Sequence, residues 1–247
     1  MSNSVVNKYL PAVIASRRLA ASRAKLIAER LYTPTGTLSF LLNFLGMRVG
    51  PLRPIPDWLH TAAQACEDDH PAIAEELREV AELELLHQRA LDDDLREIYK
   101  HLGGLEFQQP LDPRIDRHSR LRGLVPTRSE PLLVLAIDLE LAELDRVLGP
   151  ALLTGCRRSL GPLLDACRFI RARIEDTDPR IQSRLARLSA VLESYPHRAM
   201  SWAVVATNVT QSYLEALEAC ADQAATMSPS GPRTSWSRPS CSALESA

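Results

Sequence analysis

The sequence predicts an all-α protein. Apolar residues recur every three or four positions over several long segments, which is the spacing of one face of a helix. Short alternations of apolar and polar residues occur only inside these longer periods, so we predict no strand. Proline and glycine residues divide the chain into about seven helices, which we expect to pack as one domain over residues 1–226. The Ser/Pro-rich remainder, 227–247, is predicted to be a disordered tail.

Composition narrows the classes of function. The chain has 247 residues, of which 45% are hydrophobic, and this supports a well-buried core. Its formal net charge of −2 gives no electrostatic signature of a partner such as nucleic acid or an anionic membrane. Five cysteines, an odd number without CxxC spacing, indicate reduced thiols and a cytoplasmic protein. The apolar run 38–45 is too short for a membrane span, which needs roughly 18 residues.

Proline and glycine positions set the predicted helix boundaries. Pro71 suits the first turn of a helix and Gly103 marks its end, which gives a central helix about 45 Å long. The segment 105–128 is rich in Pro, Asp and Arg and is predicted to be a loop. Further breaks are predicted at Pro150 and Pro179. The other predicted helices cover about 5–32, 38–45, 57–66, 129–148, 163–176, 177–195 and 199–225.

Two side chains of the central helix have the spacing of a metal-binding pair. Glu84 and His87 are three residues apart, so they lie on one face of a helix. A carboxylate and an imidazole placed in this way can ligate the same metal ion. Glu67 and His70 share the spacing but lie beside Pro71, where the chain breaks. The alternative interpretation of Glu84 and His87 is a solvated charged face with one histidine.

A second helix carries an acidic residue where burial is expected. The helix predicted over 129–148 is apolar on nearly all sides, and Glu140 lies in its middle. A buried carboxylate is costly unless a cation compensates it. We therefore expect Glu140 to face the same pocket as Glu84 and His87. Its partner would be a metal ion or an arginine from the segment near Arg173.

This order of features resembles the heme-oxygenase-like fold, and most closely its non-heme diiron oxidases and oxygenases. The resemblance rests on the Glu84-Leu85-Leu86-His87 motif with the following residues 89–95, on the buried helix with Glu140, and on the helix around Phe169; it covers roughly 77–217. In that family, one core helix supplies a Glu and a His, a second supplies a Glu, and a third supplies histidines and an acid. The resemblance thus implies that Glu84, His87 and Glu140 bind iron, as one or two ions.

The third helix departs from the family pattern because it contains no histidine. Arg173 and Arg180 occupy the two histidine places, and arginine remains protonated and cannot act as an ordinary ligand. Under the resemblance, oxygen ligands would come instead from Glu175, Asp176 or Asp178. Arg173 or Arg180 could then bind a substrate carboxylate.

Three functions follow from the resemblance. The first is an iron-dependent oxidase or oxygenase in specialised biosynthesis, which acts with dioxygen on a small molecule such as an amino acid or fatty acid. The second is a metal-independent enzyme with acid and base residues in the same pocket, as in the similar thiaminase II and pyrroloquinoline quinone synthase families. The third is a non-catalytic partner subunit. The chain could also form a homodimer.

Overall fold

Helices make up nearly all of the described part of the chain. A computed structural model describes residues 6–101, 112–124, 130–161 and 167–226, and no strand occurs in these ranges, so the all-α prediction is confirmed. The predicted tail, 227–247, lies outside the described residues. The helices of the described ranges are α1 (Val6–Glu29), α2 (Pro34–Val49), α3 (Ile55–Cys66), α4 (Pro71–His101), α5 (Pro113–Leu124), α6 (Leu133–Leu160), α7 (Arg168–Ser194) and α8 (Ala199–Thr226), and a 3-10 turn over Pro196–Arg198 precedes α8.

Several helix ends fall where the sequence predicts them. The central helix α4 begins at Pro71, and α8 begins at Ala199. The helix α2 extends beyond the predicted 38–45 at both ends, from Pro34 to Val49. At its start, the side chain of Thr33 accepts a hydrogen bond from the backbone N–H of Gly36 at 3.1 Å, which satisfies one of the free donors of the first turn. At its end, the N–H of Gly50 donates to the carbonyl of Gly46.

The predicted loop over 105–128 is wrong in its second half, because residues 113–124 form α5. Ile115 and His118 lie on the buried side of this helix, which packs along α8. The hydroxyl of Ser119 donates to the carbonyl of Pro51 at 2.7 Å. These contacts come from segments distant in sequence, so the Arg-rich composition of α5 gave no local sign of them.

The breaks predicted at Pro150 and Pro179 are also wrong. The helix α6 continues through Pro150 to Leu160, and α7 continues through Pro179 to Ser194. A proline inside a helix costs roughly 3 kcal/mol through a lost hydrogen bond and a steric clash. Both helices instead gain from packing against each other along their length. Burial of apolar surface at about 25 cal/mol per Å² readily exceeds that cost over such an interface.

The last described helix, α8, lies at the centre of the packing. It contacts α1, α2, α5 and α6, while α7 packs between α6 and α4. Ion pairs Arg23–Glu218 and Arg30–Asp222 show that α1 and α8 run in the same direction. No helix in the described ranges has the length and apolar character needed to cross a membrane.

Candidate functional site

A small polar cavity lies in the middle of the bundle. Its charged and polar lining residues come from six helices, α2 and α4 to α8. We call it the arginine cavity; this lining consists of Arg48, Glu84, His118, Arg122, Asp138, Asp145, Arg173, Arg180 and Tyr213. Its volume is about 20 Å³, enough for about one water molecule. Any ligand that enters without movement of the lining is therefore small.

Glu84 is surrounded by three arginines. Its Oε1 accepts a hydrogen bond from Arg173 at 2.6 Å and a longer one from Arg180 at 3.5 Å, and its Oε2 accepts one from Arg48 at 3.1 Å. Burial alone would raise the pKa of Glu84, but the charges of these three arginines outweigh it and hold the pKa well below its usual range. The carboxylate is therefore ionised at all ordinary pH values.

The other acidic residues of the cavity are also paired. Asp145 accepts a short hydrogen bond from Arg173. Asp138 accepts one from Arg122 at 3.1 Å and lies 3.7 Å from Arg184. Since 138 and 145 are seven residues apart, the two carboxylates lie on one face of α6, which is the face turned toward the arginines.

Positive charge exceeds negative charge in this network. Five arginines with side chains at most 15% exposed face four carboxylates that are at most 12% exposed, so these nine side chains carry a net charge of +1. The arginines are Arg48, Arg122, Arg173, Arg180 and Arg184, and the carboxylates are Glu76, Glu84, Asp138 and Asp145. The half-exposed Arg187, which also binds Glu76, is left out because water solvates it.

Among the five arginines, Arg180 has the longest closest contact with a carboxylate. Its one hydrogen bond to a carboxylate is the 3.5 Å contact with Glu84, and its Nη2 is buried without a partner among the described residues. Burial lowers the pKa of Arg180, and repulsion from the neighbouring Arg173 lowers it further. A buried charge of this kind is costly unless a counter-charge arrives.

His118 and Tyr213 supply uncharged polar groups to the cavity. The Nδ1 of His118 lies 2.9 Å from the hydroxyl of Ser212, and its ring packs 5.0 Å from that of Tyr213. Burial, with repulsion from Arg122 and Arg48, lowers the pKa of His118 to about 3. Burial raises the pKa of Tyr213 to about 12. Both side chains are therefore neutral at pH 7.

His87 lies one turn beyond Glu84 but is not part of the cavity lining. Its Nε2 is 2.7 Å from Asp176 of α7, and its Nδ1 is buried without a hydrogen-bond partner among the described residues. Burial is the main cause of the lowered pKa of His87. Glu84 and His87 are 5% and 3% exposed, so the alternative of a solvated charged face is wrong.

The structure brings together only part of the predicted site. Glu84, Arg173 and Arg180 meet as the sequence suggests, whereas Glu175 and Asp178 lie on the exposed side of α7.

The predicted position of Glu140 needs correction, because its side chain turns away from Glu84 and toward α1. Its two oxygens accept hydrogen bonds from Arg17 at 2.8 Å each, and Tyr9 adds a third at 3.0 Å. The expected compensating cation exists, but it is Arg17 rather than a metal ion or an arginine near Arg173. Because 138 and 140 are about 200° apart around a helix, Asp138 rather than Glu140 reaches the cavity.

The side chains present do not fit the iron site implied by the resemblance. Both oxygens of Glu84 are bound by arginines, and a divalent cation placed there would face the positive charge of Arg48, Arg173 and Arg180. Glu140 is bound to Arg17. Among the described residues, no group of three or more His, Cys, Asp or Glu side chains is arranged to hold a metal ion.

Sequence reasoning missed several residues of the cavity. Arg48, His118, Arg122 and Tyr213 come from helices that carried no chemical motif. Asp145 did have a detectable signal, since it follows Asp138 by seven positions on a helix predicted to be buried.

Comparison with known proteins adds no relatives: no family model matches this chain, and neither curated proteins nor solved structures give a match.

Proposed function

We propose that this protein binds a small monovalent anion in the arginine cavity without the help of a metal ion. The observation that supports this most directly is the Arg180 side chain, which lines the cavity, carries a positive charge and has a buried Nη2 without a hydrogen-bond partner among the described residues. This site shares with the metal-independent enzyme expected from the resemblance only the role of Arg180 as an anion-binding residue, and we propose binding without a reaction.

The electrostatic argument for an anion rests on the charge balance. Five buried arginines and four buried carboxylates leave an excess of one positive charge, so one negative charge would neutralise the network. Charge-assisted hydrogen bonds from a guanidinium to an oxyanion are about twice as strong as neutral ones. A planar oxyanion also matches the planar fork of donors on arginine.

The size of the cavity restricts the ligand. A volume of about 20 Å³ excludes a fatty acid or any large metabolite in this arrangement of side chains. Among the arginines of the lining, Arg180 has the longest hydrogen bond to a carboxylate, at 3.5 Å from Glu84. A shift of Arg180 toward an entering anion would enlarge the space and replace a poor hydrogen bond with a good one.

Isothermal titration with sodium nitrate tests this proposal, with sodium gluconate at equal ionic strength as the control for general salt effects. We expect saturable nitrate binding with one site per chain and no binding of the bulky gluconate. Arg180→Gln should abolish nitrate binding, while Arg96→Gln, which changes an exposed arginine of α4, should leave it unchanged. Equal nitrate binding in wild type and Arg180→Gln would overturn the proposal, as would the absence of saturable binding by nitrate, bicarbonate, acetate and glycolate alike.

A further inference from the structure

The hydrogen bonds around His118 fix where its proton lies. The Ser212 hydroxyl has one hydrogen, and it donates this hydrogen to the backbone carbonyl of Val209 at 2.7 Å. The Ser212 oxygen can therefore only accept in its 2.9 Å contact with Nδ1 of His118. It follows that Nδ1 carries the proton and that Nε2 carries a lone pair.

This arrangement leaves His118 as a hydrogen-bond acceptor in the cavity. Nδ1 is directed to Ser212 of α8, and His118 is a lining residue of the cavity, so we assign Nε2 as the ring nitrogen that meets a ligand. Protonation would convert Nε2 to a donor, but burial and the charges of Arg122 and Arg48 keep the ring neutral, with a pKa of about 3. The acceptor is thus present across the physiological pH range.

The carboxylates of the cavity are less suited to this role. Glu84 accepts hydrogen bonds on both oxygens, and Asp138 and Asp145 are bound by Arg122 and Arg173. Each also repels an anion, whereas a neutral imidazole does not. His118 therefore offers an acceptor that a bound anion can approach without charge repulsion, as does the neutral hydroxyl of Tyr213.

On the basis of the proposed function, we infer that the anion carries a hydroxyl group, which donates to Nε2 of His118 while the anionic oxygens accept from Arg180. His118 is in this view the specificity-determining residue of the site. Two sources fit this chemistry, namely bicarbonate and a small 2-hydroxycarboxylate such as glycolate. The size of the cavity favours bicarbonate, which has one heavy atom fewer than glycolate.

Nitrate and bicarbonate are a closely matched pair of probes for this inference. Both are planar monovalent anions of four heavy atoms, but only bicarbonate has a hydroxyl hydrogen to donate. Titrations would be made in sealed cells at mildly alkaline pH, where bicarbonate is the main form. Acetate and glycolate form a second pair that differs chiefly by a hydroxyl group, and a preference for glycolate over acetate would identify the organic source.

In the wild-type protein, we expect bicarbonate to bind at least about tenfold more tightly than nitrate, because nitrate leaves Nε2 of His118 without a donor. His118→Phe keeps an aromatic ring but removes the acceptor. We expect this variant to bind nitrate within about threefold of wild type and to lose the preference for bicarbonate.

The outcomes separate the two proposals. If nitrate binds but bicarbonate binds no more tightly, and glycolate no more tightly than acetate, the hydroxyl inference is overturned while the anion site stands. If none of the four anions binds, the proposed function itself fails. A preference for bicarbonate that survives in His118→Phe would also overturn the role of His118. Should His118→Phe not fold, the wild-type comparison within each pair decides the inference.

Discussion

Arg17 binds Glu140 through two hydrogen bonds of 2.8 Å, one from Nε and one from Nη2, although the two residues are 123 positions apart. This two-point pairing joins α1 to α6. Arg17 also donates to Glu143 at 2.7 Å, so a single guanidinium compensates two carboxylates of the same helix. Glu140 is thus explained as a structural residue that holds the first helix against the core.

This pairing predicts that Glu140→Gln destabilises the protein. The amide keeps the shape of the side chain but removes the charge that faces Arg17. We expect a loss of about 2 kcal/mol in the free energy of unfolding, below the 3–5 kcal/mol of a fully buried pair, since Arg17 is 24% exposed and retains Glu143. Urea unfolding measures this, with the exposed Glu79→Gln as control. Equal stability of the two variants would contradict the prediction.

Glu84→Gln should lower stability and strengthen anion binding at the same time. The change leaves Arg48, Arg173 and Arg180 without their shared counter-charge, at a cost of roughly 3 kcal/mol or more. The same change makes the arginine cavity more positive, so nitrate should bind more tightly than in wild type and restore part of the lost stability.

Urea unfolding with nitrate or gluconate measures both effects. Glu82→Gln, an exposed change on the same helix, is the control. Nitrate affinity that stays at the wild-type value in Glu84→Gln would show that the charge of the cavity does not govern binding.

Two glycine substitutions should have effects of opposite sign. A Cβ at Gly149 would lie 2.7 Å from Cγ1 of Ile174, where α6 and α7 approach closely. We expect Gly149→Ala to cost about 1–2 kcal/mol, since overpacking exceeds the gain in helix propensity. A Cβ at Gly46 in α2 meets nothing within 4 Å, so Gly46→Ala should gain about 0.5–1 kcal/mol. Thermal unfolding of both variants checks the signs, and stabilisation by Gly149→Ala would rule out the close approach.

The lowered pKa of His118 predicts that the folded protein loses stability in mild acid. Its pKa is about 3 in the folded protein against an ordinary value of 6.5, so the unfolded chain binds a proton that the folded chain does not. This contribution is absent above pH 6.5, and stability falls as the pH falls from there toward about 3. At one pH unit below 6.5, the loss is about 1.4 kcal/mol.

The variant His118→Gln isolates this effect from other titrating groups. The free energy of unfolding, measured by urea at pH 7.5 and pH 5.5, should fall less between the two pH values in the variant than in wild type, by about 1.4 kcal/mol. An identical fall in both proteins would show that His118 is protonated in the fold.

Much of the fold could be predicted from local signals. The periodicity of α4 and α8 was strong, and Pro71 marked the start of α4 through chemistry that lies within the helix itself. The helix breaks predicted at Pro150 and Pro179 were wrong. A proline indicates the local free-energy cost of continuing a helix, but it does not indicate the packing between helices that offsets this cost. The helix α5 was missed because its buried face is short and its partners, such as Pro51, are far away in sequence.

The residues of the site could be predicted only where their spacing along a single helix indicated a shared role. The spacing of Glu84 and His87, and the arginines at 173 and 180, could be read along single helices. The pairing of charged side chains between different helices could not be predicted from the spacing along one helix, since Arg17 and Arg173 were equally available as partners for Glu140. That choice depends on how α6 is rotated, and a helix that is apolar on nearly all sides gives no signal of its rotation.

The position of α8 has a consequence for synthesis of the chain. This helix is the last of the described elements to leave the ribosome, yet α1, α2, α5 and α6 all pack against it. Until it emerges, the apolar faces of those four helices lack their common cover, and the nascent chain exposes hydrophobic surface. The bundle can therefore complete its packing only after α8 has been synthesised, and until then the growing polypeptide is a natural client for chaperones that shield hydrophobic segments.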